Sequence, residues 1–160
     1  MLNEKEKLDA LATLGIDLSR VQDLDIMMER ILTEARRFAN ADAGSIYIRE
    51  KDLLHFAYTQ NDTLQQRLAN GEKLIYSTFH MPINEESIAG YVAATGKPLN
   101  LPDVYSIDPT CPYHFSKVFD KKSRYTTRSV LTIPLKNQNE DVIGILQLIN
   151  AEDEAKNVVG

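Results

Sequence analysis

Tryptophan is absent from the 160-residue chain, and cysteine occurs once, as Cys111. A single thiol forms no internal disulfide and builds no structural zinc site, so a stapled scaffold is excluded. A reducing, cytoplasmic compartment is the expectation. No apolar run approaches the roughly 20 residues of a membrane span, so membrane insertion is not expected. The residues after Met1, Leu-Asn-Glu-Lys-Glu-Lys, lack the basic start and apolar core of a secretory signal. The 7 glycines never cluster, which removes a G-x-G-x-x-G turn and a P-loop. His55, His80 and His114 are scattered, with no H-x-x-x-H spacing, and G-x-S-x-G is missing. Basic residues are the minority: 18 Lys and Arg against 23 Asp and Glu, a net charge of −5. That balance argues against a nucleic-acid partner, whose binding face is basic.

What remains is an ordinary globular composition, 43% hydrophobic and 26% charged. It fits one domain with enough chain to bury a core. The missing motifs move the expectation from an enzyme toward a binding module. Charge is uneven along the chain. Between His114 and Arg128 stand five basic residues (Lys117, Lys121, Lys122, Arg124, Arg128) and one acid, Asp120, a local +4 inside a chain of −5.

Periodicity predicts two opening helices. Leu11, Leu14, Leu18 and Val21 form a helical stripe, with a bend expected near Gly15 and Asp17. Leu24, Met27, Met28, Ile31, Leu32, Ala35 and Phe38 form a second, capped by Asp23 or Asp25 and stopping at Asn40. Alternation then predicts a hairpin, 44–49 with 53–59, and a third strand over 73–81. Residues 60–71 read as a loop. Ser87 to Thr95 reads as a short helix, N-capped by Ser87 and stopped by Gly96. Four of the six prolines fall between Pro98 and Pro112, an extended and then looping stretch. A short helix is expected over 114–121. Residues 129–136 and 142–150 form a final hairpin around Asn137–Asp141. The order α-α-β-β-β-α-β-α-β-β, with adjacent hairpins, implies an α+β fold: an antiparallel sheet of about six strands with helices packed on it.

Three features point to one small anionic ligand. Gln147 interrupts the apolar alternation Ile143, Ile145, Ile149, so its amide needs a partner, from a ligand or a neighbouring loop backbone. The helix starting near Ser87 opens with Ala89 and Gly90, and its free N–H groups suit a phosphate or carboxylate. The same start also fits a plain capped helix packed closely at Gly90. The basic segment 114–128, interleaved with Tyr113, Phe115, Phe119 and Tyr125, reads as a flap over an anion or as a solvated face. Cys111-Pro-Tyr-His114 places a thiol near an imidazole, but no third group orients the pair.

The stretch Ser87-Ile-Ala-Gly-Tyr-Val-Ala-Ala-Thr-Gly-Lys-Pro-Leu-Asn-Leu-Pro-Asp-Val-Tyr105 resembles the "GIAGxVAxTGxPxNIPDAY" run of GAF domains. The strands 129–135 and 142–150 and the helix 24–40 are similar to that family's last strands and opening helix. The resemblance implies a GAF/PAS-like fold over 22–150; the stripe of the helix over 1–21 before it suits pairing with a second copy or packing on the chain's own sheet. A connector stub over 151–160 would lead to a separate output domain. It is nearest to the cyclic-nucleotide-binding subset of phosphodiesterases. In that subset's pattern Asn100, Phe115 and Asp120 stand at the Asn, Phe and Asp positions. Asp120 is followed by Lys121 where the subset has an acid, and no matching Lys follows Asn100. The resemblance puts Ser123 and Thr127 at ligand-contacting hydroxyls, Gln147 at a pocket-lining position and Ser45 and Gln60 at further contacts. Ile88 and Ala89 would give backbone phosphate contacts. The implied protein is a non-catalytic sensor, a homodimer whose ligand is a cyclic nucleotide (cGMP or cAMP) and which controls a fused output domain. The alternatives are a ligand-free interaction module and a redox or chromophore-linked domain using Cys111.

Overall fold

The computed structural model describes residues 3–160, with the side chains at 14–19 and 21 excepted. One helix, α1 (Glu4–Ala39), replaces the two expected. It opens with reciprocal caps: Asn3 Oδ1 accepts from the Glu6 N–H, and Glu6 Oε2 accepts from the Asn3 N–H, each at 2.9 Å. A mid-helix glycine costs only about 1 kcal/mol relative to alanine. No proline lies between Glu4 and Ala39 to break the ladder, so Gly15 does not end it. The helix stops at Asn40, in the left-handed conformation at φ 51°. Of the expected stripe, Leu11 is exposed, while Leu14, Leu18 and Val21 lie outside the described side chains.

Six strands follow: β1 (Ala41–Glu50), β2 (Leu53–Asn61), β3 (His80–Pro82), β4 (Leu99–Leu101), β5 (Val130–Lys136) and β6 (Val142–Ala151). They form one sheet in the order β3-β2-β1-β6-β5-β4, antiparallel at every step. Between them run α2 (Asp62–Gln66), α3 (Ile88–Thr95), a 3₁₀ turn (Val104–Ser106) and α4 (Val118–Ser123). The third strand is far shorter than expected. Before His80 the extended chain makes one ladder-like bond, Phe56 N–H to Phe79 carbonyl at 2.8 Å. Aromatic packing holds it instead: Phe79 stacks on Phe56 at 4.9 Å, and the Tyr76 hydroxyl donates to the Ala57 carbonyl. Ile75 consequently stands in solvent rather than on a strand face.

Strand alternation gives the sheet two different faces. Met28 and Leu32 of α1 bury Ile46, Leu146 and Leu148 on one. Gly44 permits that approach, because a Cβ there would meet Leu32 Cδ1 at 2.7 Å. On the other face, Ala89, Val92 and Ala93 of α3 pack on Tyr47, Leu54 and Ile145. A separate cluster on that face joins Ile88, Val104, Tyr113 and Val130, with Ile149 against it.

Candidate functional site

A polar row crosses the α3 face of the sheet. Thr59 pairs with Ser45, Ser45 with Gln147, and Gln147 with Thr132, across β2, β1, β6 and β5. Two positions along the strands on one side lie Tyr47 and Ile145 of the first apolar cluster. On the other side lie Ile149 and Val130 of the second. The row therefore fills the gap between two apolar clusters, and α3 straddles it, with Ile88 in one cluster and Ala89 in the other.

The hydrogen bonds of the row fix what it offers. The Thr59 hydroxyl donates to the Gly44 carbonyl at 2.9 Å, so in the 3.1 Å Ser45–Thr59 contact Ser45 is the donor. Gln147 Nε2 donates to the Thr132 hydroxyl at 3.3 Å. The Gln147 partner is thus a side chain of the neighbouring strand, not a loop backbone. Gln147 Oε1 has no protein partner among the described residues. Thr132 is fully buried and keeps its own hydroxyl proton to give. An acceptor and a donor stand side by side.

Ser87 caps α3, its Oγ accepting from the Gly90 N–H at 2.9 Å. A Cβ at Gly90 would lie 2.5 Å from the Asn84 carbonyl and 2.6 Å from Ser87 Oγ. The close-packed reading of this helix start therefore holds. Ile88 and Ala89 are both buried there. The His114 N–H donates to the Glu86 carbonyl at 2.9 Å, which lays the 113–128 segment beside the helix start.

That segment is closed by its own bonds. Asp120 is only 7% exposed and accepts from the Thr127 N–H, the Thr127 hydroxyl (both 2.8 Å) and the Tyr105 hydroxyl (2.6 Å). This carboxylate raises the Tyr105 pKa. Ser123 donates to the Phe119 carbonyl at 2.7 Å and accepts from the Tyr125 N–H at 3.3 Å. Phe115 lies half-buried against the Tyr105 ring, centroids 5.3 Å apart. Tyr125, buried, donates to Asp42 at 2.8 Å and accepts from Asn150 Nδ2 at 2.9 Å. Burial first, then the Asp42 carboxylate, lift its pKa well above the phenol range.

Arg36 ties α1 to the same region. Its guanidinium donates to the Ala41 carbonyl (3.1 Å), the Asp42 carbonyl (2.8 Å) and Gln60 Oε1 (2.9 Å), and pairs with Asp62 at 2.7 Å.

Of the residues expected at one site, Ser45 and Gln147 lie in the row. Ile88 and Ala89 border it. Phe115, Asp120, Ser123 and Thr127 belong to the 113–128 segment, which packs on the second cluster and bonds to Asp42 and Asn150. Gln60 departs, because it faces α1, bonded to Arg36 and Thr33. Asn100 departs as well. It pairs with Leu131, which packs on the α1 side, and it lines a cleft of about 160 Å³ with Ala39, Leu148 and Val159 on that face. Thr59, Thr132, Asp42, Asn150 and Arg36 were not anticipated. Thr132 had no local signal: the turn at 137–141 alone sets it opposite Leu146, and a bulge between Leu135 and Lys136 shifts it to face Gln147. The thiol–imidazole pair does not form: no hydrogen bond joins Cys111 to His114 among the described residues. Cys111 instead neighbours Tyr113, whose hydroxyl is pushed up to about 12, first by the nearby thiol and then by burial.

Comparison with known proteins follows the same lines. The chain is 28% identical over 143 residues to a cGMP-specific 3',5'-cyclic phosphodiesterase of Drosophila mojavensis. The match takes in 84% of this chain and 12% of that protein, so the chain spans about an eighth of its relative's length. In structure it resembles the A. aeolicus nlh2 GAF domain, in an inactive state, with TM-score 0.56 and 19% identity, over 80% of this chain and 68% of that one. It also resembles the GAF domain of a phosphoenolpyruvate-protein phosphotransferase from Coxiella burnetii, with TM-score 0.57 and 19% identity, over 94% and 81%. At such identities these likenesses bear on the fold alone. The model of the GAF domain family matches residues 23–157. By that match the chain belongs to the GAF domain family, whose members are small-molecule-sensing and regulatory domains.

Proposed function

We propose that this domain senses a small anionic ligand, a cyclic nucleotide such as cGMP or cAMP, held on the row Ser45, Thr59, Thr132 and Gln147 beneath the 113–128 segment. The observation that carries the proposal is the row itself: four polar side chains in register, lying between two apolar clusters. Among the described residues Gln147, half-buried, keeps its Oε1 free to accept, and Thr132 keeps its hydroxyl proton free to give. An adjacent acceptor and donor suit the edge of a purine. The positive end of α3 and the basic covering segment suit a phosphate. The cGMP specificity of the Drosophila phosphodiesterase supports the same ligand class.

The domain itself is non-catalytic in this reading and regulates a fused output domain in a cytoplasmic signalling protein. Ligand contact at the covering segment reaches α1 through Tyr125, Asp42 and Arg36. A second copy of the chain packs on α1, where Leu24, Met27, Ile31 and Phe38 recur at helical spacing and stand exposed. Native mass spectrometry of the purified protein tests the ligand. A small molecule bound one per chain, or taken up when cGMP or cAMP is added, is expected. A bare mass under both conditions refutes the proposal.

One observation favours a second reading, a ligand-free interaction module. Asp120 and Tyr125 are satisfied within the protein, so the covering segment closes without a ligand. The bare mass, together with a dimer, is the outcome that reading predicts.

A further inference from the structure

The local charge of the 113–128 segment changes character once the chain is folded. Its one acid, Asp120, points inward and spends its carboxylate on three internal donors. Lys117, Lys121, Lys122 and Arg124 stay exposed. The fold then adds a fifth cation from a remote stretch: Arg67, also exposed, donates to the carbonyls of Ser123 (3.3 Å) and Arg124 (3.1 Å). None of these five side chains has an ion-pair partner among the described residues. In their midst, on α4, stand two adjacent apolar side chains, Val118 at 58% and Phe119 at 56% exposure.

From this arrangement we infer that the α4 surface docks on an anionic lipid bilayer. A cluster of unpaired cations alone fits any polyanion. The exposed Val118 and Phe119 decide between them. An acidic protein segment neutralises the lysines and leaves the apolar pair in water. A bilayer interface takes both, with lipid phosphates and carboxylates meeting the cations and the Phe119 ring entering the headgroup and acyl boundary. Docking of this kind is peripheral, since no helix among the described residues is long and apolar enough to cross a membrane. The remainder of the chain is strongly acidic and is repelled by the same surface, so only one orientation is allowed. That orientation presses on the 113–128 segment itself.

Co-sedimentation with vesicles tests the inference, using the whole chain with phosphatidylcholine vesicles and with vesicles that also contain phosphatidylserine. Binding is expected only to the second kind, and it weakens as salt rises. Lys121→Gln with Lys122→Gln lowers the affinity about 30-fold, at about fivefold per cation. Phe119→Ser lowers it several-fold at unchanged charge. All three positions are exposed, so the variants fold, as circular dichroism will report. Failure of the wild type to bind anionic vesicles at low salt overturns the inference. So does binding that survives Phe119→Ser or the double Gln variant unchanged. Binding to poly-glutamate without binding to vesicles assigns the surface to an acidic protein and overturns it as well.

Discussion

The Tyr125 hydroxyl donates to the Asp42 carboxylate at 2.8 Å, across 83 positions of sequence. Asp42 is held from the other side by α1, because Arg36 donates to its carbonyl at 2.8 Å. The two ends of the domain, the covering segment and the long helix, therefore meet at one residue. Tyr125→Phe leaves the Asp42 and Asn150 groups short of a partner. A loss of about 1–3 kcal/mol in unfolding free energy is expected by urea titration at neutral pH.

The same tyrosine gives a pH signature. Burial and the Asp42 carboxylate raise its pKa from the ordinary 10.0, so the fold favours the protonated phenol. Its contribution to stability is complete below pH 10.0 and is lost as pH climbs above that value. Tyr105 and Tyr113, also raised, add to this alkaline loss. Tyr125→Phe is expected to make the fall in stability above pH 10 shallower without abolishing it. Denaturation curves at stepped alkaline pH read the slope, and an identical slope in the variant refutes the assignment.

Asp120 holds the covering segment shut. An asparagine there keeps one acceptor oxygen and turns an NH₂ toward groups that donate. Asp120→Asn is expected to speed amide exchange over 118–127 by at least about tenfold, the loss of one charged hydrogen bond being worth about 1.5–3 kcal/mol. Exchange in β6 should stay as in the wild type. Hydrogen-exchange mass spectrometry distinguishes this local opening from general unfolding.

Gly90→Ala pits propensity against space. Alanine is favoured in a helix by about 1 kcal/mol, but its Cβ would meet the Asn84 carbonyl at 2.5 Å. Overpacking of this kind costs about 1–3 kcal/mol, so a net loss of stability is expected on chemical denaturation.

Much of the fold was legible in the sequence where local signals suffice. The last hairpin shows in its alternation and in the Asn137 turn, whose side chain accepts from the Asn139 and Asp141 N–H groups. The limits of α3 show in Ser87 and Gly96. The single α1 and the shortened β3 did not show. Asp23 and Asp25 looked like the cap of a second helix, yet α1 runs straight through them. Residues 73–79 alternate like a strand, yet are held by stacking on Phe56. For the site, Gln147 was visible as a polar residue amid apolar neighbours, and Ser45 only through the family resemblance. Asn100 was misplaced because strand parity, fixed by its pairing with Leu131, decides its face. Asp42, Asn150 and Arg36 carry no local signal. Their importance arises from partners brought together only by the fold.

The central claim is that the polar row holds the ligand. Calorimetric titration of cGMP and cAMP into the wild type and into Gln147→Leu tests it most directly. The account predicts one site per chain in the wild type and an affinity at least about tenfold weaker in the variant, with stability changed by less than about 1.5 kcal/mol. Equal binding by both proteins, or none by either, contradicts it.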